Sequence, residues 1–322
     1  MHVALPALVA PEAFARRDAA ARIARFGGEA MGTSWSALVV APPPGLEAEL
    51  WRTIDAVIAS MSQWRPDSAL SAFNRAPIGE WWALPADLAE VLATAVAIGG
   101  ASDGAFDPAC GALADLWGFG PPGPRTSVPS PREVTDALAR SGTRHLELDA
   151  RRARRHARIA LDLSGIAKGH AVDRLAATCR AAGAQDFLVE IGGEYAGGGI
   201  RPDGQPWWVA VEAPPGLAAN LRIGLHDLAV ATSGDYRRFV AQDGHRFGHS
   251  IDPRTGWPID NGIVSATVVA ADCMSADGWA TALTVLGGDA AMATAERNGV
   301  AAQLRAGDGR EWITPALAAM LS

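Results

Sequence analysis

The sequence predicts an α+β fold, in which largely antiparallel sheets carry flanking helices. Helical patterns and strand patterns are partly segregated along the chain, and several predicted strands follow one another directly. The 322 residues include 35 Gly and 21 Pro, which is ordinary for a turn-rich chain and high for a helical bundle. Hydrophobic residues make up 49% of the chain, which is enough to bury a core and excludes intrinsic disorder.

The first half of the chain predicts an arm, a strand and two helices. Residues 1–28 are expected to form an N-terminal arm, loose or briefly helical, and residues 29–322 one domain. Ser34–Val40 has strand character, and a helix is predicted from Pro85 to Ile98. A helix between them is predicted from apolar residues at helical spacing, namely Leu46, Leu50, Ile54, Val57, Ile58 and Met61.

The second half predicts more strands than helices. A helix over Pro131–Arg140 leads into two strands, Leu146–Asp149 and Arg158–Leu163, joined by an arginine-rich turn. Later helices are predicted at Gly169–Ala182 and Ser275–Leu286. The remaining strands are predicted at Phe187–Ile191, Trp207–Glu212, Arg222–Leu225, Ala229–Thr232, Phe239–Ala241 and Ile263–Val269.

Charge, hydropathy and cysteine usage exclude several classes of protein. The formal net charge of −7 argues against a nucleic-acid-binding surface. The sequence contains no run of about eighteen uncharged apolar residues, so a membrane-spanning helix is not predicted. Cys110, Cys179 and Cys273 are widely spaced and odd in number, so neither a disulfide framework nor a thiolate zinc site is indicated. No basic segment precedes the short apolar stretch near the N-terminus, so a cytoplasmic protein is expected; a misassigned start codon would instead favour the periplasm.

Two common motifs match in letters only. Gly118–Gly123 fits the dinucleotide pattern Gly-x-Gly-x-x-Gly, but no clear strand precedes it and two prolines stand where a helix should begin. His245 and His249 are four residues apart in a Gly-rich stretch without an obvious third ligand, so a zinc site is not indicated.

The strongest local signal is Asp162-Leu163-Ser164-Gly165-Ile166-Ala167-Lys168-Gly169-His170. It follows an apolar strand and opens a helix, where backbone amides and positive potential favour an anionic ligand. Lys168, the only lysine of the chain, is suited to neutralising a phosphate, and Asp162 to accepting hydrogen bonds from a ring or a ribose. The alternative is an ordinary turn whose glycines satisfy its geometry and whose lysine lies on the surface.

A second signal is Ala276-Asp277-Gly278-Trp279-Ala280-Thr281-Ala282-Leu283. Asp277 and Thr281 are four residues apart, so a helix would present both on one face. A carboxylate and a hydroxyl are hard oxygen ligands suited to Mg²⁺. The alternative is a helix start at which Asp277 complements the dipole and Thr281 bonds back to the preceding turn.

A third signal is His249–Gly256, preceded by Ser233-Gly234-Asp235-Tyr236. Asp-Pro-x-x-Gly is an ordinary turn, whereas His249 has an unperturbed pKa of about 6.5 that suits a general base near neutrality. Nearer the N-terminus, Trp64 ends a predicted helix; it is typical of a core or lid residue, or it stacks on a planar heterocycle.

Taken in order, these motifs resemble the ApbE family, the FAD:protein FMN transferases, from about Ala30 to Gly288. The ordered motifs are Met-Gly-Thr, Ser-x-x-x-x-x-Ser with Phe-Asn, Phe-Asp-Pro, Asp-Leu-Ser-Gly-Ile-Ala-Lys-Gly, Ile-Gly-Gly, Ser-Gly-Asp-Tyr, His-x-x-Asp-Pro-x-x-Gly and Ala-Asp-x-x-Ala-Thr-Ala. The resemblance implies an ApbE-like, T-fold-like α+β domain.

The resemblance also implies an activity. A Mg²⁺-dependent enzyme of this kind cleaves the pyrophosphate of FAD, attaches FMN through a phosphoester to a Thr or Ser of a partner protein, and releases AMP. The implied acceptor carries a motif like Asp-Gly-x-(Ser/Thr)-Gly-Ala-(Ser/Thr). The chain itself lacks this motif, so it is expected to be the enzyme rather than its own acceptor.

Site residues are implied by the same resemblance. The metal is expected on the main-chain carbonyl of Gly165 and on the side chains of Asp277 and Thr281. His249 is the expected base with Asp162 as the alternative, and Lys168 supplies charge neutralisation. The residues expected to contact FAD or line its site are Met31, Trp64, Phe106, Asp107, Asp162, Lys168 and Ile251.

The sequence departs from the family pattern at two places. Glu194 and Tyr195 follow Ile191-Gly192-Gly193 where other members more often have Asp or Asn and a small residue, and Trp279 is a bulky neighbour within the metal motif. Two alternatives use the same residues: a Mg²⁺-dependent FAD pyrophosphatase that gives FMN and AMP, and an FAD-binding protein without turnover.

Overall fold

Antiparallel pairing dominates the fold. The computed structural model describes residues 1–125, 127–234, 239–242 and 245–322. The strands are β1 (His2–Ala4), β2 (Ile23–Ala30), β3 (Thr33–Val40), β4 (Trp82–Ala83), β5 (Leu146–Asp149), β6 (Arg152–Arg155), β7 (Phe187–Ile191), β8 (Glu194–Gly198), β9 (Trp207–Ala210), β10 (Leu221–Leu225), β11 (Leu228–Gly234), β12 (Phe239–Gln242), β13 (His245–Gly248), β14 (Ile263–Ala270), β15 (Ala301–Ala306) and β16 (Glu311–Ile313). The helices are α1 (Pro11–Ala15), α2 (Leu46–Met61), α3 (Ala69–Arg75), α4 (Ala86–Ala101), α5 (Gly111–Leu116), α6 (Pro131–Ala139), α7 (Ala167–Ala181), α8 (Cys273–Leu286), α9 (Gly288–Arg297) and α10 (Pro315–Ala318), with a 3₁₀ turn at Thr143–His145.

The central sheet has eight strands in the order β16-β15-β14-β11-β8-β7-β3-β2, and its neighbouring strands are antiparallel. A three-stranded sheet, β1-β10-β9, contains the parallel pair β1–β10. Smaller sheets are β4-β6-β5 and β12-β13. The predicted α+β class with largely antiparallel sheets is therefore confirmed.

Alternation along β3 separates the two faces of the central sheet. Trp35, Ala37 and Val39 are buried in the core that also contains residues of α2 and α7. Leu38 and Val40 point the other way, toward the core beneath the β1-β10-β9 sheet. The sheet thus lies between a helical layer and a second, smaller sheet.

Turn chemistry fixes the β2–β3 hairpin, which ends near the site described below. Met31 and Gly32 both have positive φ, at 53° and 75°, as a two-residue turn between antiparallel strands often requires. Glycine adopts this conformation without strain, whereas a side chain such as that of Met31 rarely does.

Several predicted elements coincide with the observed ones. The helix predicted from Leu46 to Met61 is α2, and Phe187–Ile191 is β7. The boundary expected between residues 28 and 29 falls inside β2, so residues 23–28 belong to the eight-stranded sheet.

The prediction of a strand at Arg158–Leu163 is wrong, since this segment forms no strand. The arginine-rich segment itself returns as β6 after a two-residue turn, and Asp149 pairs with Arg152. The apolar segment that follows is held by a loop and a side chain: the Asp162 amide donates to Pro108 O at 2.8 Å, and the Leu161 amide to Asn74 Oδ1 at 2.8 Å. Periodicity alone does not reveal pairing of that kind.

Strand β8 is absent from the predicted elements because its glycines and alanine have low β propensity. Among the residues that the structure describes, no helix is both long and apolar enough to cross a bilayer.

Candidate active site

The crossing of α7 and α8 forms the floor of the site. A Cβ on Gly169 would overlap the carbonyl oxygen of Cys273 and lie 2.8 Å from the Cβ of Asp277. Only glycine allows the two helices to approach this closely. The start of α8 is fixed from α7 as well, since the Asp173 carboxylate accepts the amides of Cys273 and Met274, each at 2.8 Å.

Asp277 is held at this crossing as a buried carboxylate. It is 5% exposed, and its Oδ2 accepts the Gly169 amide at 3.0 Å. Burial raises the pKa of Asp277, while the Lys168 ammonium and the Gly169 amide counteract that rise. Since the pKa of Asp277 stays raised despite these two groups, a further cation beside the carboxylate would stabilise its charged form.

Thr281 lies one turn after Asp277 and faces the loop before α7. Its Oγ1 donates to the carbonyl oxygen of Gly165 at 3.4 Å. A Cβ on Gly165 would lie 3.0 Å from that hydroxyl oxygen and 3.2 Å from the Phe106 ring, so glycine leaves the carbonyl open to both. The three predicted metal donors are thus a carbonyl, a hydroxyl and a carboxylate on adjoining elements.

This donor set is compatible with Mg²⁺. Hard oxygen ligands in small number suit an ion that keeps several waters or phosphate oxygens. Within the described ranges, no group of three or more His, Cys, Asp or Glu residues could hold a metal ion. The proposed donors do not count as such a group, because only Asp277 is one of these residue types and the other two donors are a carbonyl and a hydroxyl.

Lys168 is paired with Glu194, whose role the sequence analysis did not assign. Its Nζ donates to Glu194 Oε1 at 2.5 Å; the carboxyl side chain is 3% exposed and the lysine side chain 30%. Burial lowers the pKa of Lys168, but the Glu194 and Asp277 carboxylates raise it by more. The pKa of Lys168 therefore lies above its usual value. Lys168 therefore stays an ammonium with donors left beyond the one that Glu194 uses.

Two hairpin turns meet beside this ion pair. A Cβ on Gly192, in the β7–β8 turn, would lie 2.9 Å from the Thr33 methyl and 3.4 Å from Glu194 Oε2. Thr33 directly follows the β2–β3 turn that contains Met31, whose side chain packs against the main core. The structure thus brings the Met31 turn to the same corner as Lys168.

Asp162 is fixed by two donors. Its Oδ1 accepts the Ser164 amide at 2.8 Å and its Oδ2 accepts Gln63 Nε2 at 3.0 Å. Gln63 precedes Trp64, which is 53% exposed and thus available for stacking. Gln63 is a second residue near the site that the sequence analysis did not identify. Its position as a polar residue between the end of α2 and Trp64 could have indicated it.

Phe106 and Asp107 have different positions. Phe106 is buried, and its ring lies beside Gly165; its contact with FAD stays a prediction. Asp107 accepts the Ala109 amide at 2.8 Å and the Thr143 amide at 3.0 Å, so both carboxylate oxygens tie the fold together. Its observed side-chain contacts are structural.

His249 and Ile251 lie on a separate loop. The His249 ring meets Phe119 edge to face, with 6.3 Å between centroids, and Ile251 pairs with Pro258. Asp252 and Arg254 close the loop through an ion pair of 2.8 Å. The hydrogen bond from Arg254 to the Asp252 carboxylate raises the pKa of Arg254, and this effect exceeds the lowering by burial. The Arg254 stem would lie 3.7 Å from a Cβ on Gly104, next to the Phe106 segment.

Part of the third motif lies outside the described residues. Asp235 and Tyr236 are among the residues that the structure does not describe, and so is the side chain of His245. The Ser-Gly-Asp-Tyr motif is therefore described only in part, and the role of His249 as the base stays a prediction.

Comparison with known proteins agrees with the motifs. The family model described as "ApbE family" matches residues 31–304. A relative named FAD:protein FMN transferase, from Vibrio cholerae, is 38% identical over 281 residues, which cover 85% of this chain and 84% of that protein. Another of the same name, from Escherichia coli K12, is 32% identical over 306 residues, with 89% and 86% covered.

Solved structures agree with the fold as well. The apo form of Pseudomonas stutzeri flavinyl transferase ApbE superposes with a TM-score of 0.86 at 36% identity, covering 93% of this chain and 97% of that one. The flavin transferase ApbE from Vibrio cholerae gives a TM-score of 0.87 at 36% identity, with 94% and 100% covered. The chain belongs to the ApbE family.

Proposed function

We propose that this protein is an FAD:protein FMN transferase that uses Mg²⁺ to pass FMN from FAD to a Thr or Ser hydroxyl of an acceptor protein. The observation that carries the proposal is the convergence of the Gly165 carbonyl and Thr281 hydroxyl, one helical turn from buried Asp277, in a chain of this family. FAD is the substrate and a second protein is the acceptor. The site residues and the metal are our assignment.

Gly165, Asp277 and Thr281 would hold the metal. When bound there, Mg²⁺ neutralises phosphate charge and so favours attack at phosphorus. Asp277 supplies the negative charge that attracts the cation, and burial keeps that charge poorly solvated without it. The close approach at Gly169 keeps Asp277 in place relative to the α7 N-terminus.

Lys168 is the second positive group for the diphosphate. Glu194 fixes the ammonium from one side, and the exposed part of the side chain leaves its other donors for phosphate oxygens. Trp64 and Phe106 offer rings to the flavin or adenine, Met31 and Ile251 offer apolar contacts, and Asp107 shapes the loop behind Phe106.

Transfer breaks one bond and forms one. The acceptor oxygen bonds to the FMN phosphorus, the P–O bond to the AMP phosphate breaks, and AMP leaves with the bridging oxygen. His249 Nδ1 or Nε2 takes the hydroxyl proton. We assign the base to His249 rather than Asp162 because both Asp162 oxygens already accept hydrogen bonds from Ser164 and Gln63.

The acceptor is proposed to carry a motif like Asp-Gly-x-(Ser/Thr)-Gly-Ala-(Ser/Thr). The proposal is tested by incubating the protein with FAD, Mg²⁺ and a domain carrying this motif, with a Thr→Val domain as control. We expect the added mass of FMN on the threonine domain only, together with AMP. AMP and free FMN without an adduct would favour the pyrophosphatase alternative, and FAD binding with no product would favour the binding protein.

A further inference from the structure

A groove runs along the surface beside Asp162, between α3, α5 and the segment that precedes α7. It consists of two adjoining cavities of about 400 and 190 Å³, which share Asn74, Asp115 and Ala160 in their linings. Ala112, Leu116 and Ile159 give the larger cavity an apolar part, and Asn74 and Asp115 give both cavities polar groups. Its combined volume is in the range of sites that receive ligands or chain segments.

Three arginines surround this groove. Arg140 and Arg158 line the larger cavity, and Arg75 lines the smaller one. All three are exposed, and within the described part of the chain none forms an ion pair with a carboxylate. Arg75 donates to Pro66 O and Arg140 to Asp136 O, so each keeps donors available.

Elsewhere on the surface, several arginines pair with a carboxylate close by in the sequence. Arg65, Arg201 and Arg310, for example, each pair with an aspartate two residues away. The whole chain carries a net charge of −7. Within the described residues, three guanidinium groups without carboxylate partners lie around one groove, and together they complement an anionic occupant.

The groove reaches the proposed reaction site. Gln63 lines its smaller cavity and donates to Asp162 Oδ2 at 3.0 Å. Asp115 lines both cavities; burial raises the pKa of Asp115, and the charge of Asp162 raises it further, which indicates that the two carboxylates are near each other. A segment lying in the groove would end beside Asp162.

We propose that this groove binds the acceptor protein, taking an acidic segment next to the hydroxyl that is modified. The proposal rests on the proposed function, because only a transferase needs a second polypeptide at this site. Arg140 and Arg158 would pair with carboxylates of that segment, while Ala112, Leu116 and Ile159 would contact its small apolar side chains. Arg75 would lie nearer the reacting end.

The adenosine half of FAD is the competing occupant. No aromatic ring is present among the described residues that line either cavity, so stacking of a purine between rings is not provided. This favours a peptide over a nucleotide base, and the two occupants give opposite results in a binding test.

The test is the double charge reversal Arg140→Glu/Arg158→Glu. With a domain carrying the Asp-Gly-x-Thr-Gly-Ala-Thr motif as probe, we expect KM for that domain to rise on the order of 10-fold or more, and the difference from wild type to shrink in high salt. The dissociation constant for FAD should be unchanged, which also shows that the variant is folded. The matched control is Arg222→Glu/Arg305→Glu, on β10 and β15, which should keep the wild-type KM.

A second probe locates the contact. Replacing the acidic residue of the probe domain by its amide should raise KM with the wild-type enzyme and have much less effect with the double variant. An unchanged KM in the double variant, with wild-type transfer intact, would overturn the groove assignment alone. Weakened FAD binding would also overturn it and assign the groove to the nucleotide. Absence of transfer by the wild-type enzyme would overturn both this inference and the proposed function.

Discussion

The α7–α8 crossing and the His249 loop hold the two halves of the proposed chemistry in different ways. At the crossing, Asp277 is buried and bonded to the Gly169 amide on a helix that cannot approach more closely. The His249 loop is closed by its own ion pair, and its histidine rests edge to face on Phe119. One region is fixed by helix packing and the other by a loop on an aromatic surface.

The difference indicates where geometry is preset and where it can adjust. A metal site needs its oxygens in place before the substrate arrives, and close helix contact supplies that order. A base must reach a hydroxyl that comes from another protein, and a loop allows that approach. Substitutions at the crossing should therefore affect stability and metal binding, while those on the loop should affect turnover.

His249→Asn should give the largest effect on turnover. Without the base, kcat for transfer should fall about 10²–10⁴-fold, while the dissociation constant for FAD stays the same. Transfer to the acceptor domain and FAD binding are measured side by side. His2→Asn, a partly exposed histidine beside Glu311, is the control and should behave as wild type. An unchanged kcat in His249→Asn would remove the histidine from the reaction.

Lys168→Met should strongly destabilise the crossing. It leaves Glu194, a carboxyl group only 2% exposed, without its ammonium partner. Loss of one partner of a fully buried ion pair typically costs about 3–5 kcal/mol of the free energy of unfolding. Since the Lys168 side chain is 30% exposed, we expect a loss below that range. The double variant Lys168→Met/Glu194→Gln should recover much of that loss while FAD affinity stays reduced. Additive losses in denaturant unfolding would contradict the pairing.

Asp173→Asn should change how stability depends on pH. Burial raises the pKa of Asp173 from its ordinary value of 3.8 to about 6, against the opposing effect of the Cys273 and Met274 amides. Because the folded pKa is the higher one, the wild type is favoured at low pH and loses up to about 3 kcal/mol as pH rises from 4 through 6. The variant lacks this titration, so the difference in free energy of unfolding should narrow or reverse between pH 4 and 7. Parallel pH profiles would contradict the assignment.

Gly169→Ala should change the free energy of unfolding least among these variants. The sign of that change shows whether α7 and α8 are in close contact at this position. Alanine gains about 1 kcal/mol of helix propensity over glycine, but overpacking against the Cys273 backbone typically costs about 1–3 kcal/mol. We expect a net loss of stability together with weaker metal binding. Gly100→Ala, in α4 with nothing within 4 Å of the new methyl, is the control and should stabilise the protein. Equal stabilisation by both changes would show that the crossing is not tight.

The contrast also explains what sequence reasoning could reach. Gly165, Lys168, Asp277 and Thr281 lie in short continuous motifs at helix starts, where spacing fixes which residues face one another. The α+β class was predicted from the order of helical and strand patterns along the chain. Those predictions needed only local geometry.

Long-range contacts were beyond that reasoning. The bond from Gln63 to Asp162 joins residues 99 positions apart, and the Lys168–Glu194 pair depends on which turn packs over the α7 N-terminus. Glu194 was visible only as a departure from the family pattern. The segment 158–163 looked like a strand because its hydrophobic pattern does not specify the side chain and loop that complete its hydrogen bonds.

The most direct test of the account is a Mn²⁺ titration of the FAD-loaded protein, followed by electron paramagnetic resonance, with Mn²⁺ as the probe of the proposed Mg²⁺ site. We predict one tightly bound Mn²⁺ per chain in the wild type, its loss in Asp277→Asn, and its retention in Asp289→Asn on α9. Equal tight binding by the wild type and Asp277→Asn would contradict a metal site formed by Gly165, Asp277 and Thr281.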